Sequence, residues 1–158
     1  MTDLSGSIDF PSLTHMGMLV TDVQKVRDFY TRILGLVVTD EGEAAGRSWC
    51  FMTGDPNEHH QVVLASGRSA KDTFALINQI SFRLESLQAL RAFYAYVKEE
   101  EVVGLEAVTH GNSWSIYFQD PDANRIEVYA VSDWYVSQPC RVVVDLSASE
   151  QELRGPIN

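Results

Sequence analysis

The chemistry open to this chain rests on few side chains. It has four histidines, His15, His59, His60 and His110, and imidazole is the group that takes or gives a proton near neutral pH. His59 and His60 stand just before the apolar run Val62 to Ala65. Because side chains alternate along a strand, His60 is expected to share the face of Val62, with His59 pointing the other way. His60 would then face a cavity, where it could take a proton from a substrate hydroxyl and return it later. The pair also reads as solvated loop residues after Asp55-Pro56-Asn57-Glu58. Glu127 is harder to set aside: it interrupts the apolar Ile126, Val128 and Tyr129 in what should be a half-buried strand, and an unpaired buried carboxylate is costly.

The elements that must position these groups come from a chain that repeats itself. At an offset of 64 residues Gln24 matches Gln88, Arg27 matches Arg91, Phe29 matches Phe93 and Tyr30 matches Tyr94. At an offset of 65, Ser48-Trp49 matches Ser113-Trp114 and Asp55-Pro56 matches Asp120-Pro121. Internal repeats outrank other sequence signals when architecture is assigned. Leu13 to Thr21 and Ile77 to Leu84 are short, apolar and strand-like, each followed by a polar step, Thr21-Asp22 or Glu85-Ser86, able to cap a helix. Val26, Phe29, Tyr30 and Ile33 then recur at helical spacing before Gly35, and Leu87, Leu90, Phe93, Tyr94 and Val97 do so before Gly104. Leu36 to Thr39, Trp49 to Met52 and Gln61 to Ala65, then Leu105 to Thr109, Trp114 to Phe118 and Arg125 to Val131, are strand-like and divided by Gly, Asp, Pro and Asn turns. The expectation is an α+β fold built as βαβββ twice.

Composition narrows the class of function. The chain has 158 residues, a length that suits one domain with a real core. Its 12 basic and 22 acidic residues give a formal charge of -10, which repels phosphate backbones and anionic membranes, so neither nucleic acid nor a membrane is expected as a partner. No apolar run approaches the ~20 residues of a bilayer span. The first ten residues lack the basic start and apolar centre of a secretory signal. With Cys50 and Cys140 as its two cysteines, the chain is expected in a reduced cytoplasm with both thiols as packing residues.

A duplicated βαβββ unit that opens on Leu13-Thr14-His15-Met16-Gly17 and closes on Asp120-Pro121-Asp122-Ala123-Asn124-Arg125-Ile126-Glu127-Val128-Tyr129 resembles the vicinal oxygen chelate superfamily. The resemblance implies two tandem modules, 11–66 and 77–131, whose sheets form one half-open barrel around a metal cleft, with a C-terminal extension at 132–158. It also implies ligands from the first and fourth strands of each module: His15, its repeat mate Gln79, and Glu127, whose own mate at offset 65 is the apolar Val62. Two histidines and a carboxylate would leave open positions on Fe(II) for a chelating substrate and dioxygen. Here Gln79 replaces one histidine, and its amide oxygen is a neutral, weaker donor. Fe(II) is the first expectation, with Mn(II) or Mg(II) as alternatives.

The runs Asn57-Glu58-His59-His60-Gln61-Val62-Val63-Leu64 and Thr109-His110-Gly111-Asn112-Ser113-Trp114-Ser115-Ile116-Tyr117-Phe118 are similar to the extradiol ring-cleaving dioxygenase branch. That likeness implies an acid-base role for His60, a hydrogen bond from Tyr117 to a substrate oxygen, and a place for His110 beside the second hydroxyl or the oxygen. The implied substrates are a catechol-like aromatic and dioxygen. Two other readings stay open: glyoxalase-type lyase or isomerase chemistry, against which the apolar Val62 counts, and a metal-free protein that sequesters antibiotics. Trp134 and Tyr135 in the tail read as a lid, a subunit contact in a homo-oligomer, or plain packing. Ser147 to Asn158 reads as a short helix or a frayed end.

Overall fold

The computed structural model describes residues 12–72 and 77–154. The outer limits expected for the first module and for the tail, residues 11 and 158, lie outside that range. The duplication appears as two sheets that do not close into a barrel. In the first, β1 (Met16–Val20), β4 (Val62–Ser66), β3 (Arg47–Thr53) and β2 (Val37–Ala44) lie in the order β1-β4-β3-β2. The second runs β5 (Ile80–Arg83), β8 (Arg125–Val131), β7 (Ser113–Gln119), β6 (Val103–Thr109) and β9 (Val142–Val143). Helix α1 (Val23–Leu34) follows β1 and α2 (Leu87–Glu99) follows β5, so each module is the expected βαβββ.

Both helices begin at the expected caps. Asp22 accepts from the Lys25 amide and Ser86 from the Ala89 amide, satisfying donors that the first turn leaves free. Gly35 ends α1 in the left-handed region (φ 69°), which glycine enters without a Cβ clash. The inner stripes bury Val26, Tyr30 and Ile33 from α1 and Leu87, Leu90 and Val97 from α2 against Cys50, Met52, Leu64, Ile116, Ile126 and Val128 of the sheets.

Strand ends differ from the sequence reading for reasons of pairing. β1 starts at Met16 rather than Leu13, because β4, its neighbour, first offers a partner at Val62, and Leu13 is left exposed. β5 is trimmed to Ile80–Arg83 in the same way by β8. β2 runs five residues past Thr39 into polar sequence, carried by a hairpin with β3 whose turn residues Ala45 and Gly46 both have positive φ, as a two-residue hairpin turn requires. β9 was not expected.

The register corrects one repeat assignment. β1 pairs Met16 with Val62 while β5 pairs Ile80 with Ile126, so the parallel pairs match at an offset of 64. Val62 and Ile126 both enter the core, and Glu127 therefore corresponds to Val63, not Val62. The Ser-Trp match at offset 65 is one of letters only: Trp114 is buried in the core whereas Trp49 is half-buried and outside it. A slip of one residue turns a side chain to the opposite face of its sheet.

The turn after β7 joins the modules. Tyr30 of α1 donates to Asp120 at 3.0 Å, the Thr21 amide and hydroxyl donate to the Asp122 carboxylate, and Arg68 donates to the Asp122 carbonyl and to Asn124. Among the described residues no helix is long and apolar enough to cross a membrane.

Candidate functional site

Alternation along β8 decides which side chains can meet on the face away from the helices. Ile126, Val128 and Ala130 enter the core, so Arg125, Glu127 and Tyr129 point the other way. On β7 the same rule sends Trp114, Ile116 and Phe118 inward and leaves Ser115 and Tyr117 beside Glu127. Tyr117 and Glu127 are register partners, and the Tyr117 hydroxyl donates to Glu127 Oε1 at 2.6 Å. From β5, Ser81, the other register partner, donates to Oε2 at 2.5 Å, and Gln79 Nε2 donates to the same oxygen at 2.7 Å. Glu127 is 8% exposed. Burial alone would push its carboxyl up, but the hydroxyls of Ser81 and Tyr117 outweigh it and hold the group below the usual carboxylate range. Burial, then the bond to Glu127, pushes the Tyr117 phenol up to about 12.

His110 extends this line. Its Nδ1 lies 2.7 Å from the Cys140 carbonyl and its Nε2 lies 2.9 Å from the Tyr117 hydroxyl. A carbonyl only accepts, so Nδ1 carries a proton. Tyr117 has one hydrogen, which goes to Glu127, and its oxygen faces His110 Nε2. The tail holds this imidazole in place. Gln138 Nε2 donates to the His110 carbonyl, and Ser132 donates to the Gly111 carbonyl. A Cβ on Gly111 would meet Val136 at 2.5 Å, so only glycine lets the tail approach. Trp134 stacks edge-on against the buried Trp114, which is the packing alternative for this residue, while Tyr135 is 80% exposed. Beyond the tail, Ser147 to Leu153 ends in a single turn, α3 (Glu150–Leu153), fastened by a capping box between Ser149 and Glu152.

The first module contributes a second group. His15 lies just before β1, is exposed, and meets His60 edge-on with ring centres 4.5 Å apart. His60 stands beside Phe51 at 5.3 Å. The alternation argument for His59 and His60 does not hold, because β4 begins only at Val62 and the two histidines lie in the bend before it. Instead of pointing apart, they touch, Nδ1 to Nδ1 at 2.9 Å, and His59 Nε2 reaches Asp40 at 3.0 Å. Asp40, Trp49, Phe51 and His59 line an open cleft of about 480 Å³.

The structure thus brings Gln79, Glu127, Tyr117 and His110 into one hydrogen-bonded line and His15 against His60. Among the described residues no hydrogen bond or ion pair joins the two groups, and no three His, Cys, Asp or Glu side chains converge as a metal site would need. Sequence reasoning missed Ser81, Ser115, Arg125 and the Cys140 carbonyl. Ser81 was within reach, since a period of two puts it on the face of Gln79.

A model of the Glyoxalase/Bleomycin resistance protein/Dioxygenase superfamily matches residues 12–128. The chain belongs to this superfamily. Two relatives are biphenyl-2,3-diol 1,2-dioxygenases 2 and 3 of Rhodococcus globerulus, each 28% identical over 75% of this chain. The chain spans 62% of the length of these curated relatives. Among solved structures, a glyoxylase/bleomycin resistance protein/dioxygenase domain from Frankia sp. superposes with a TM-score of 0.67 at 19% identity, covering 78% of this chain and 100% of that one. The fosfomycin resistance protein FosX from Listeria monocytogenes, in a variant complexed with Mn(II) and a dihydroxypropylphosphonic acid, gives 0.62 at 19% identity, covering 79% and 96%. At these identities the structures speak for the fold.

Members of this superfamily typically bind a divalent metal, and Ser115 offers a test of whether the residues present here suit one. Its Oγ is buried and makes no hydrogen bond of normal geometry, although it lies close enough to Glu127 to help hold that carboxyl low. A buried hydroxyl without a partner costs about 1–3 kcal/mol. Glu127 would offer a carboxylate oxygen to such an ion and Gln79 its amide oxygen, in place of the nitrogen that now faces Glu127. By donor type an ionised carboxylate, an amide oxygen and an imidazole suit an intermediate divalent ion, while His15 here packs on His60 and, among the described residues, makes no bond to Gln79 or Glu127.

Proposed function

We propose that the chain is a metal-dependent ring-cleaving dioxygenase of the extradiol kind, acting on a catechol-like aromatic. The observation that carries this reading is the line His110–Tyr117–Glu127, which puts a phenol and an imidazole next to the one buried carboxylate of the site face. Support also comes from the two biphenyl-2,3-diol dioxygenase relatives. His15, Gln79 and Glu127 would hold the ion, Fe(II) before Mn(II). When bound, such an ion supplies a positive centre for two adjacent substrate oxygens and for dioxygen.

The chain's own residues handle protons and orientation. His60, beside His15, takes the proton of a substrate hydroxyl and returns it to the ring-opened product. Tyr117 has a phenol that stays protonated at neutral pH, so it serves as a hydrogen-bond donor to an anionic oxygen rather than as a base. His110, fixed by Cys140, holds Tyr117 in register. Phe51 and Trp49 give the aromatic ring an apolar wall. In the overall change both atoms of dioxygen enter the product, one ring carbon–carbon bond breaks beside the diol, and no outside reductant is used. The lyase or isomerase alternative is weaker, because Val63 leaves the fourth ligand position apolar.

The test is direct. Protein loaded with Fe(II) under argon, then given air and a panel of catechols, is expected to form the yellow ring-fission product. Protein that demonstrably holds the ion and yields no coloured product from any catechol would sink the ring-cleavage reading.

A further inference from the structure

The chain carries a large excess of acid, and its arginines are accordingly occupied. Arg27, Arg32, Arg68, Arg141 and Arg154 each pair with carboxylates, and Arg47 and Arg91 donate to backbone carbonyls. Among the described residues, Arg83 and Arg125 have no such partner, and both lie on the face of the second sheet that carries Glu127. Arg83 is exposed. Arg125 is half-buried, and its guanidinium carbon lies 4.0 Å from the centre of the Tyr117 ring.

That stack fixes the plane of the guanidinium while leaving its N–H edge open, and the planar fork matches a carboxylate. Glu127, two residues along, does not fill the role, since its oxygens are engaged by Ser81, Gln79 and Tyr117. A half-buried cation without an anion is an uncompensated cost, and in a chain of net charge -10 an anionic ligand needs a local cation to approach at all.

We propose that Arg125 is the specificity-determining residue of the Glu127 face and that the substrate is an aromatic vicinal diol bearing a carboxylate. This rests on the ring-cleavage reading for the diol, and on Arg125 alone for the carboxylate. Arg83 is too exposed and too well screened to do the same.

Isothermal titration under argon, with and without Fe(II), would compare 3,4-dihydroxybenzoate with catechol. The full chain is expected to bind the carboxylated diol about tenfold or more tightly. Arg125→Gln is expected to erase that preference, so that the two diols bind alike, Arg125→Lys to recover part of it, and Arg83→Gln to retain it. Equal binding of the two diols by the unaltered chain would overturn the proposal. So would an Arg125→Gln variant that weakens both alike, which would make Arg125 a prop for Tyr117. The two readings fail separately. Carboxylate preference without ring-fission product removes ring cleavage and keeps Arg125, whereas ring fission without preference does the reverse.

Discussion

Tyr117 and Glu127 face each other across β7 and β8 as register partners, with the phenol donating to the carboxylate at 2.6 Å. Their separation of ten residues in sequence is therefore a consequence of the antiparallel pairing that joins the two strands. In the first module the corresponding pair is Phe51 and Val63, so the duplication has kept the scaffold and placed this chemistry in one half.

Removing the phenol should weaken the acid end of the stability profile. Glu127 has a folded-state pKa below its ordinary value of 4.5, so its contribution is present above that value and is lost as pH falls through the folded pKa. In Tyr117→Phe the lowering shrinks, and the loss should begin at higher pH. Urea midpoints between about pH 3 and 7 would show it, and Ser81→Ala should move the profile the same way. Tyr117 itself, pushed up to about 12, stays protonated throughout that window.

Metal binding should depend on the amide as well as on the two stronger donors. We expect about one divalent ion per chain, lost in His15→Ala and in Glu127→Ala. Gln79→His should bind Fe(II) more tightly, by about tenfold, because imidazole is a better donor than an amide oxygen. Elemental analysis of protein purified without chelator gives the stoichiometry, and competition with a chromophoric chelator gives the order.

The fold was legible in the sequence because the repeat, the caps and the helical stripes agreed. Asp22 and Ser86 begin their helices, and Gly35 ends α1, where the polar steps and the glycine indicated. The face of each strand was less legible. Trp49 and Trp114 carry the same letters to opposite environments, and the slip moved the counterpart of Glu127 from Val63 to Val62. Within the candidate site, Glu127 stands out from its place in an apolar strand and Gln79 and Tyr117 follow only from the resemblance, while the support of His110 by Cys140 spans thirty residues and leaves no local pattern. The contact between His59 and His60 was misread because a period of two was extended past the end of β4.

The two thiols should differ sharply. Cys50 is fully buried, and burial pushes its thiol up, while Cys140 is half-buried in the tail. Ellman's reagent at mildly alkaline pH should titrate one thiol in the native chain and the second only in denaturant. Rapid reaction of both would mean that the first sheet opens readily.

The Asp120-Pro121-Asp122-Ala123-Asn124 turn should prove to be a structural joint. Asp120 is 5% exposed and accepts from the Tyr30 hydroxyl, the amides of Asp122 and Asn124, and the Asn124 side chain. Asp120→Ala leaves these donors without an acceptor and should cost on the order of 3 kcal/mol. Tyr30→Phe should cost about 1 kcal/mol, and the double variant less than the two added, because they share one bond. Chemical denaturation of the four proteins measures the coupling.

Ser115 separates a hydroxyl kept for stability from one kept for a ligand. Its Oγ is buried beside Glu127 without a hydrogen bond of normal geometry, so Ser115→Ala removes a group that returns little in the metal-free chain. The variant should therefore be as stable as the natural chain or more so, by up to about 1 kcal/mol. If the hydroxyl serves to steady Glu127 once the carboxylate turns toward a cation, the same variant should bind Mn(II) about ten- to a hundredfold more weakly, as loss of a supporting hydrogen bond around a metal does. A stabilised variant with unchanged Mn(II) affinity would leave Ser115 outside the site. A destabilised one would mean that the hydroxyl already has a partner in the fold.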